Sequence, residues 1–292
     1  MNIISFDTEE WYIEKMYHGA REEKYRTFDT MLNSILEVLD EHHLKATFFC
    51  VGQLAVDFPQ VVKLIQSKGH EIGCHSNTHQ WLNKMTPEEA MKDTQTAVDC
   101  LEQLTGQKIK SFRAPAFSIG KDNQWALEIL AECGIERDAS IFPATRDFGG
   151  FTEFATEEPT LINIGNKQIK EFPITTTSVF GKRMAYTGGG YFRLFPYSFI
   201  QRKMNKAPYT MTYFHINDLL TEPRKILTKE EYERYFKEPG TPVNRFKRYI
   251  KSTLGTGQAY PKLEKLIKTN DFLNLEKADE VIDWNNAPHI IL

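Results

Sequence analysis

Six short stretches of the chain hold residue types able to do acid–base or metal chemistry. The first is Asp7-Thr8-Glu9-Glu10. Extended backbone puts Asp7 and Glu9 on one side, and two carboxylates aimed at one point repel unless a cation or a proton separates them. One can then bind a metal while the other acts as a base. The second is His75-Ser76-Asn77-Thr78-His79. Two histidines four apart can face one point from a helical turn, as a pair of metal ligands does. No Glu follows His75, so this is not the HExxH metalloprotease pattern. The base must come from elsewhere, and Asp7 is available.

The third stretch is Arg113-Ala114-Pro115-Ala116. An Arg can hold a carboxylate in place by paired hydrogen bonds, Pro115 fixes the backbone after it, and a free N–H at Ala116 could steady an oxyanion. The fourth, Asp138-Ala139-Ser140, holds an Asp that needs a partner if buried. The fifth is His215, a candidate general acid if a carboxylate raises its pKa. The sixth is Gly188-Gly189-Gly190-Tyr191-Phe192-Arg193. It lacks the ending of a phosphate loop, but glycines let backbone pass close to a ligand, and the two aromatics offer flat faces to a sugar ring. Taken alone, every stretch but the histidine pair is more often structural than catalytic: a solvated acidic loop, a salt bridge, a glycine turn.

Positioning them falls to an alternation of short apolar runs and amphipathic helices. Strands are expected at Asn2–Phe6, Lys45–Val51, Glu71–Cys74, Ser111–Ala114, Ile135–Ile141, Gln168–Pro173 and Tyr209–Ile216. Helices are expected at Thr30–His42, Gln53–Lys68, from a Thr86/Glu89 capping box to about Leu104, at Asn123–Cys133 and near Tyr197–Lys206. Such alternation implies parallel strands with crossover helices, in a barrel or an open sheet. Asp7, His75, Arg113, Asp138 and His215 all fall at or near strand ends. Barrel active sites gather at the C-terminal ends of the strands, and random polar residues would not keep that phase. From Thr221 the chain turns Lys- and Glu-rich, so residues 1–220 read as a catalytic domain and 221–292 as a helical extension packed on it.

Composition narrows the function classes. A net charge of -3 over 292 residues makes no case for a nucleic-acid partner. No apolar run approaches the roughly 18 residues that span a bilayer, and the acidic stretch after Ile4 is unlike a secretory leader. These features point to the cytoplasm, the inner face of the membrane included. The four cysteines form no CxxC pair and read as reduced, buried thiols.

Taken in order, FDTEEW, HSNTH, RAP, RDAS and YFH resemble the motifs of the polysaccharide deacetylase family, which is carbohydrate esterase family 4 with the chitooligosaccharide deacetylase (NodB) homology domain. The resemblance spans about residues 1–220, and HSNTH together with FRAP is its most specific part. GGGYFR and the helical tail are similar to a subgroup associated with exopolysaccharide and surface-glycan loci. The resemblance implies an α/β fold, a distorted (β/α)7 barrel, and removal of N-acetyl groups from N-acetylated sugars of a glycan or glycan precursor. It implies a divalent metal, zinc first by ligand type with cobalt, nickel or iron also fitting, held by Glu9, His75 and His79. It makes Asp7 the base, Arg113 its holder, His215 the general acid and Asp138 the residue that orients His215. Ala116, Gly189, Gly190 and Tyr191 then contact substrate. The chain departs from the family twice. Thr8 stands where a second Asp is usual, which leaves Glu9 as the acidic ligand and Glu10 as the alternative, and Ala116 stands where a Tyr is usual. Two rival functions share these residues: another metal amidohydrolase, such as a deformylase or cyclic-imide hydrolase, and a non-catalytic glycan-binding protein.

Overall fold

The computed structural model describes residues 1–146, 149–222, 225–236 and 238–292. Seven parallel strands carry the candidate residues: β1 (Ser5–Thr8), β2 (Thr47–Cys50), β3 (Glu71–Cys74), β4 (Ser111–Phe112), β5 (Arg137–Asp138), β6 (Lys167–Glu171) and β7 (Phe214–His215). They lie side by side as β7-β1-β2-β3-β4-β5-β6. β1 and β2 are buried along their whole length, as strands covered on both faces must be. Phe6 of β1 stacks on Phe48 of β2 at 4.9 Å and leans on Phe214 of β7.

Among the described residues no strand ladder joins β6 to β7. The seam is crossed instead by Met211 N–H donating to Thr175 Oγ1 (2.8 Å) and by the Tyr209 hydroxyl donating to the Pro173 carbonyl (2.9 Å). This is the distorted (β/α)7 barrel expected from the sequence, and of the two architectures left open, the barrel rather than the flat sheet.

Helix boundaries moved where one local rule beat another. The first long helix spans Glu22–Glu41, starting well before Thr30, because Tyr25 and Phe28 continue the stripe of Leu32, Ile35, Leu36 and Leu39. The stretch expected as one helix over Gln53–Lys68 is two, Gly52–Asp57 and Pro59–Ser67, because Pro59 can open a helix but not continue one. The Thr86/Glu89 capping box is formed in both directions and opens helix Pro87–Thr105, a cap typically worth about 1 kcal/mol.

Several elements were not expected. Helix Glu10–His18 follows β1 directly, strand Thr160–Ile164 runs antiparallel to β6, and Thr176–Val179 forms a hairpin with Lys182–Ala185. The segment after Thr221 holds helices Lys229–Phe236, Pro242–Thr253, Ala259–Thr269 and Leu275–Val281. It is not helical throughout: strand His289–Ile291 pairs with Thr160–Ile164 and extends the sheet. Leu263, Leu266 and Phe272 share a core with Phe6 and Phe214. The four cysteines are free thiols, and all but Cys100 are buried.

Candidate functional site

β1 ends at Thr8, and the chain turns into helix Glu10–His18, so Glu9 sits at the junction rather than on extended backbone. That turn aims Glu9 at the end of β3. Its Oε2 lies 3.3 Å from His75 Nε2 and 2.6 Å from His79 Nε2. Glu10 points elsewhere, accepting hydrogen bonds from the backbone N–H groups of Asn217 (2.8 Å) and Glu9 (3.3 Å). Burial and the neighbouring Glu9 charge push the Glu10 carboxyl up to about 7.

His75 and His79 do not share a helical turn, as their spacing suggested. They are brought together by a loop in which Ser76 and His79 take left-handed backbone angles (φ 60° and 56°). The loop is tied down from outside. Asp93 accepts from Asn77 N–H (2.8 Å) and from the Thr78 hydroxyl (3.2 Å), while Gly52 and Gln53 donate to the carbonyls of Ser76 and Asn77. Gly52 is required here, because a Cβ would lie 2.7 Å from both the Ala97 backbone and the Asn77 side chain.

His75 Nδ1 lies 2.7 Å from the Arg113 carbonyl, which can only accept, so Nδ1 carries a hydrogen and Nε2 is the atom that faces Glu9. The Glu9 Oε2 between the two imidazoles is buried and has no well-formed hydrogen bond. A buried carboxylate oxygen so placed calls for a cation. The three ligand atoms lie within 4.8 Å of one another, and two imidazoles with one carboxylate make a donor set suited to a divalent ion.

Asp7 is held beside this trio. Arg113, fully buried, donates from Nη1 to Asp7 Oδ1 (2.7 Å) and to the Ser5 hydroxyl (2.9 Å), from Nε to the Ala139 carbonyl (3.2 Å), and stacks on Phe49. Burial pushes the Asp7 carboxyl up, but Arg113, His75 and His215 outweigh it and hold it below its usual range. Opposite, His215 Nε2 is 3.6 Å from Asp7 Oδ2. Burial lowers the His215 pKa, while the hydrogen bond to Asp218 and the charges of Glu9, Asp218 and Asp7 raise it, with a net push up to about 10. An ionised carboxylate and a protonated imidazole thus flank the trio from two sides.

One expectation about a positioning residue needs correction. Asp138 does not orient His215. Its Oδ1 accepts from the Ser140 hydroxyl (2.5 Å), and it pairs with Glu171, both carboxyls being pushed up by burial. The residue on His215 Nδ1 is Asp218, at 3.1 Å, held in turn by Arg193. Asp218 lies three residues after His215, and that short acidic spacing was the signal available in the sequence. Ser140 also accepts from Ala114 N–H (2.7 Å), which steadies the Arg113-Ala114-Pro115 turn.

The glycine stretch also differs from expectation. Gly189–Leu194 is a short helix, and Gly188 and Gly189 pack directly on Tyr213, which a Cβ at Gly188 would overlap. The close approach that these glycines permit is therefore to Tyr213 rather than to a ligand. Gly190 neighbours Arg193, and Tyr191 packs against the cluster holding Phe117, Phe142 and Tyr213. Ala116 does sit at a special place, since Ala116 and Phe117 both take left-handed angles (φ 55° and 54°) just after Arg113. Beside that turn lies a groove of about 570 Å³ lined by Asn83, Ser118, Gly120, Trp125, Gly149 and Glu153.

Residues 19–137 match the family model described as polysaccharide deacetylase, and residues 139–280 match a domain of unknown function. The chain is 37% identical over 95 residues to a peptidoglycan-N-acetylglucosamine deacetylase of Bacillus cereus, covering 32% of this chain and 34% of that protein. It is 33% identical over 112 residues to a chitooligosaccharide deacetylase of Azorhizobium caulinodans, covering 36% of this chain and 50% of that protein. The chain thus spans between a third and a half of these curated relatives. In fold it is similar to a Mycobacterium smegmatis structure provisionally named a polysaccharide deacetylase, with a TM-score of 0.65, 15% identity, and coverage of 100% of this chain and 92% of that one. It is also similar to a CE4 family pseudoenzyme of Bacillus anthracis, with a TM-score of 0.50, 15% identity, and coverage of 100% and 69%.

Proposed function

We propose, from the match of residues 19–137 to the polysaccharide deacetylase family model, that the chain is a member of that family and hydrolyses the N-acetyl amide of a sugar unit in a glycan or glycan precursor. The observation that carries this reading is the convergence of Glu9, His75 and His79 beside an Asp7 ionised by Arg113. Glu9, His75 and His79 would hold a divalent ion, zinc by ligand type. When bound there, such an ion supplies Lewis-acid polarisation of an amide carbonyl and acidifies a water.

The remaining work falls to the chain's own groups. Asp7, kept ionised and fixed by Arg113, takes the proton of the attacking water. His215, kept protonated by Asp218 and the nearby carboxylates, gives its proton to the departing amine. The Ala116 N–H, placed by the left-handed turn after Arg113, is the candidate donor to the oxyanion. Ser5 and the Ala139 carbonyl hold the Arg113 guanidinium in one orientation, so Asp7 has little freedom to leave its place. Trp125, in the adjacent groove, offers an indole face to a neighbouring sugar. In this reading residues 1–220 form the catalytic unit and 221–292 the extension.

The test is acetate release from N-acetylglucosamine oligomers and glycan intermediates by metal-loaded protein, with Asp7→Asn as control. Asp7→Asn should cost roughly 10²–10⁴-fold in kcat, the usual worth of a general base. Formate release, or ring opening of an imide without acetate, would assign the site to another amidohydrolase. Metal and glycan binding with no hydrolysis of any amide would make the chain a binding protein, like its pseudoenzyme relative in fold.

A further inference from the structure

Helix Pro242–Thr253 has no buried residue, yet its composition is not that of a solvated helix. Val243, Phe246, Ile250 and Leu254 recur at three- and four-residue spacing, so they form one stripe that continues onto the residue just past the helix end. Val243 is 60% exposed, Phe246 54% and Leu254 48%. Leu194, 53% exposed, extends the patch, because Gly255 packs on the backbone of Arg193 next to it. Such a run of exposed large apolar side chains is costly in water and marks a surface that something covers.

Charge says what covers it. Residues 242–253 hold four cations, Arg245, Lys247, Arg248 and Lys251, and no acid, although the whole chain carries a net charge of -3. The two arginines face the protein, Arg245 donating to the Leu227 carbonyl and Arg248 lying over the Phe236 ring at 4.2 Å. Lys247 and Lys251 lie four and eight residues after Val243, along the exposed stripe, and both are exposed. A second copy docked through this face about a two-fold axis would set lysines against lysines, which disfavours self-association. An anionic bilayer surface meets both features: acyl chains take the apolar stripe and lipid phosphates take the lysines.

We infer that helix Pro242–Thr253, with Leu194, is a surface that seats the protein on an anionic membrane. No described helix is long and apolar enough to cross a bilayer, so the contact is interfacial. The face is wired to the candidate site. Arg193 reaches the Lys251 carbonyl (2.6 Å) with one nitrogen and Asp218, the partner of His215, with another. Seated this way, the protein would act on glycans presented at a membrane, a consequence that rests on the deacetylase reading, whereas the seating itself does not.

Vesicle pelleting tests it on the full chain. Vesicles containing phosphatidylglycerol should pull the protein down, phosphatidylcholine alone should not, and binding should fall as salt is raised. Phe246→Ser and Lys247→Glu should each weaken binding by about tenfold or more. Both side chains are exposed, so circular dichroism and acetate release from a soluble sugar should be unchanged. The inference is overturned by three results: no pelleting with anionic vesicles, pelleting that neither substitution weakens, or a dimer in light scattering that Phe246→Ser splits.

Discussion

Two buried carboxyl pairs lie on either side of Arg113, and their surroundings favour opposite protonation states. On one side, Asp7 and Glu9 are both held below the usual carboxylate range, Asp7 by the Arg113 guanidinium and both by imidazoles. On the other, Asp138 and Glu171 are both pushed up by burial, and Glu171 also by the Asp138 charge. Two carboxylates in contact with no cation between them must share a proton. The first pair is therefore suited to bind a cation and accept a proton. The second is suited to hold a wall together, Asp138 through Ser140 to Ala114 and Glu171 by accepting from Ile141 N–H. Residue type is the same in both; the nearness of a cation decides which does chemistry.

The largest effect should come from removing a cation-binding group on the first side. His79→Ala should abolish tight zinc binding, measured by metal analysis after dialysis. It should cost more than the roughly 10²–10³-fold typical of a lost oxyanion donor, since both roles of the ion go at once. Activity that survives this change together with chelation would erase the contrast between the two pairs.

A smaller effect separates Asp218 from Asp138. Asp218 holds the His215 pKa up, so the protonated imidazole persists to alkaline pH. Asp218→Asn should move the alkaline limb of kcat/KM toward acid by roughly one unit, while Asp138→Asn should leave that limb in place. Equal shifts in the two variants would restore Asp138 as the partner of His215.

The smallest effect concerns stability. Glu171 keeps its proton in the fold and loses it in the unfolded chain above the ordinary carboxyl pKa. The folded state then binds more protons, so stability falls as pH rises from that ordinary value toward the raised one. Glu171→Gln removes that proton linkage while retaining a hydrogen-bond donor. It should change stability by no more than about 1 kcal/mol near pH 5 and flatten its decline at higher pH, as read from urea midpoints. A steeper decline in the variant would mean that Glu171 is ionised in the fold.

Much of the site was legible before any fold was known, because strand ends announce themselves. Asp7, His75, Arg113 and His215 close or follow short apolar runs, and a parallel barrel brings such ends to one face. Positions depending on loop conformation were not legible in the same way. His75 and His79 meet through left-handed turns at Ser76 and His79, which a helical-spacing argument describes wrongly even while naming the right pair. Asp138 was misassigned because a carboxylate near a strand end shows its type but not its partner. The three glycines looked like a ligand loop because glycine reports a close approach without saying to what; for Gly188 and Gly189 it is to Tyr213.

The chain by itself determined the alternation of strands and helices, the phase that puts reactive residues at strand ends, and the set of side chains able to hold an ion. These follow from local periodicity and residue chemistry, which neighbours in sequence suffice to express. Tertiary structure alone decided that Glu9 rather than Glu10 meets the imidazoles, that Asp218 rather than Asp138 meets His215, and which carboxyls stay charged. Those outcomes turn on distances of a few ångströms between residues up to about two hundred positions apart, where Coulomb energy and desolvation change steeply.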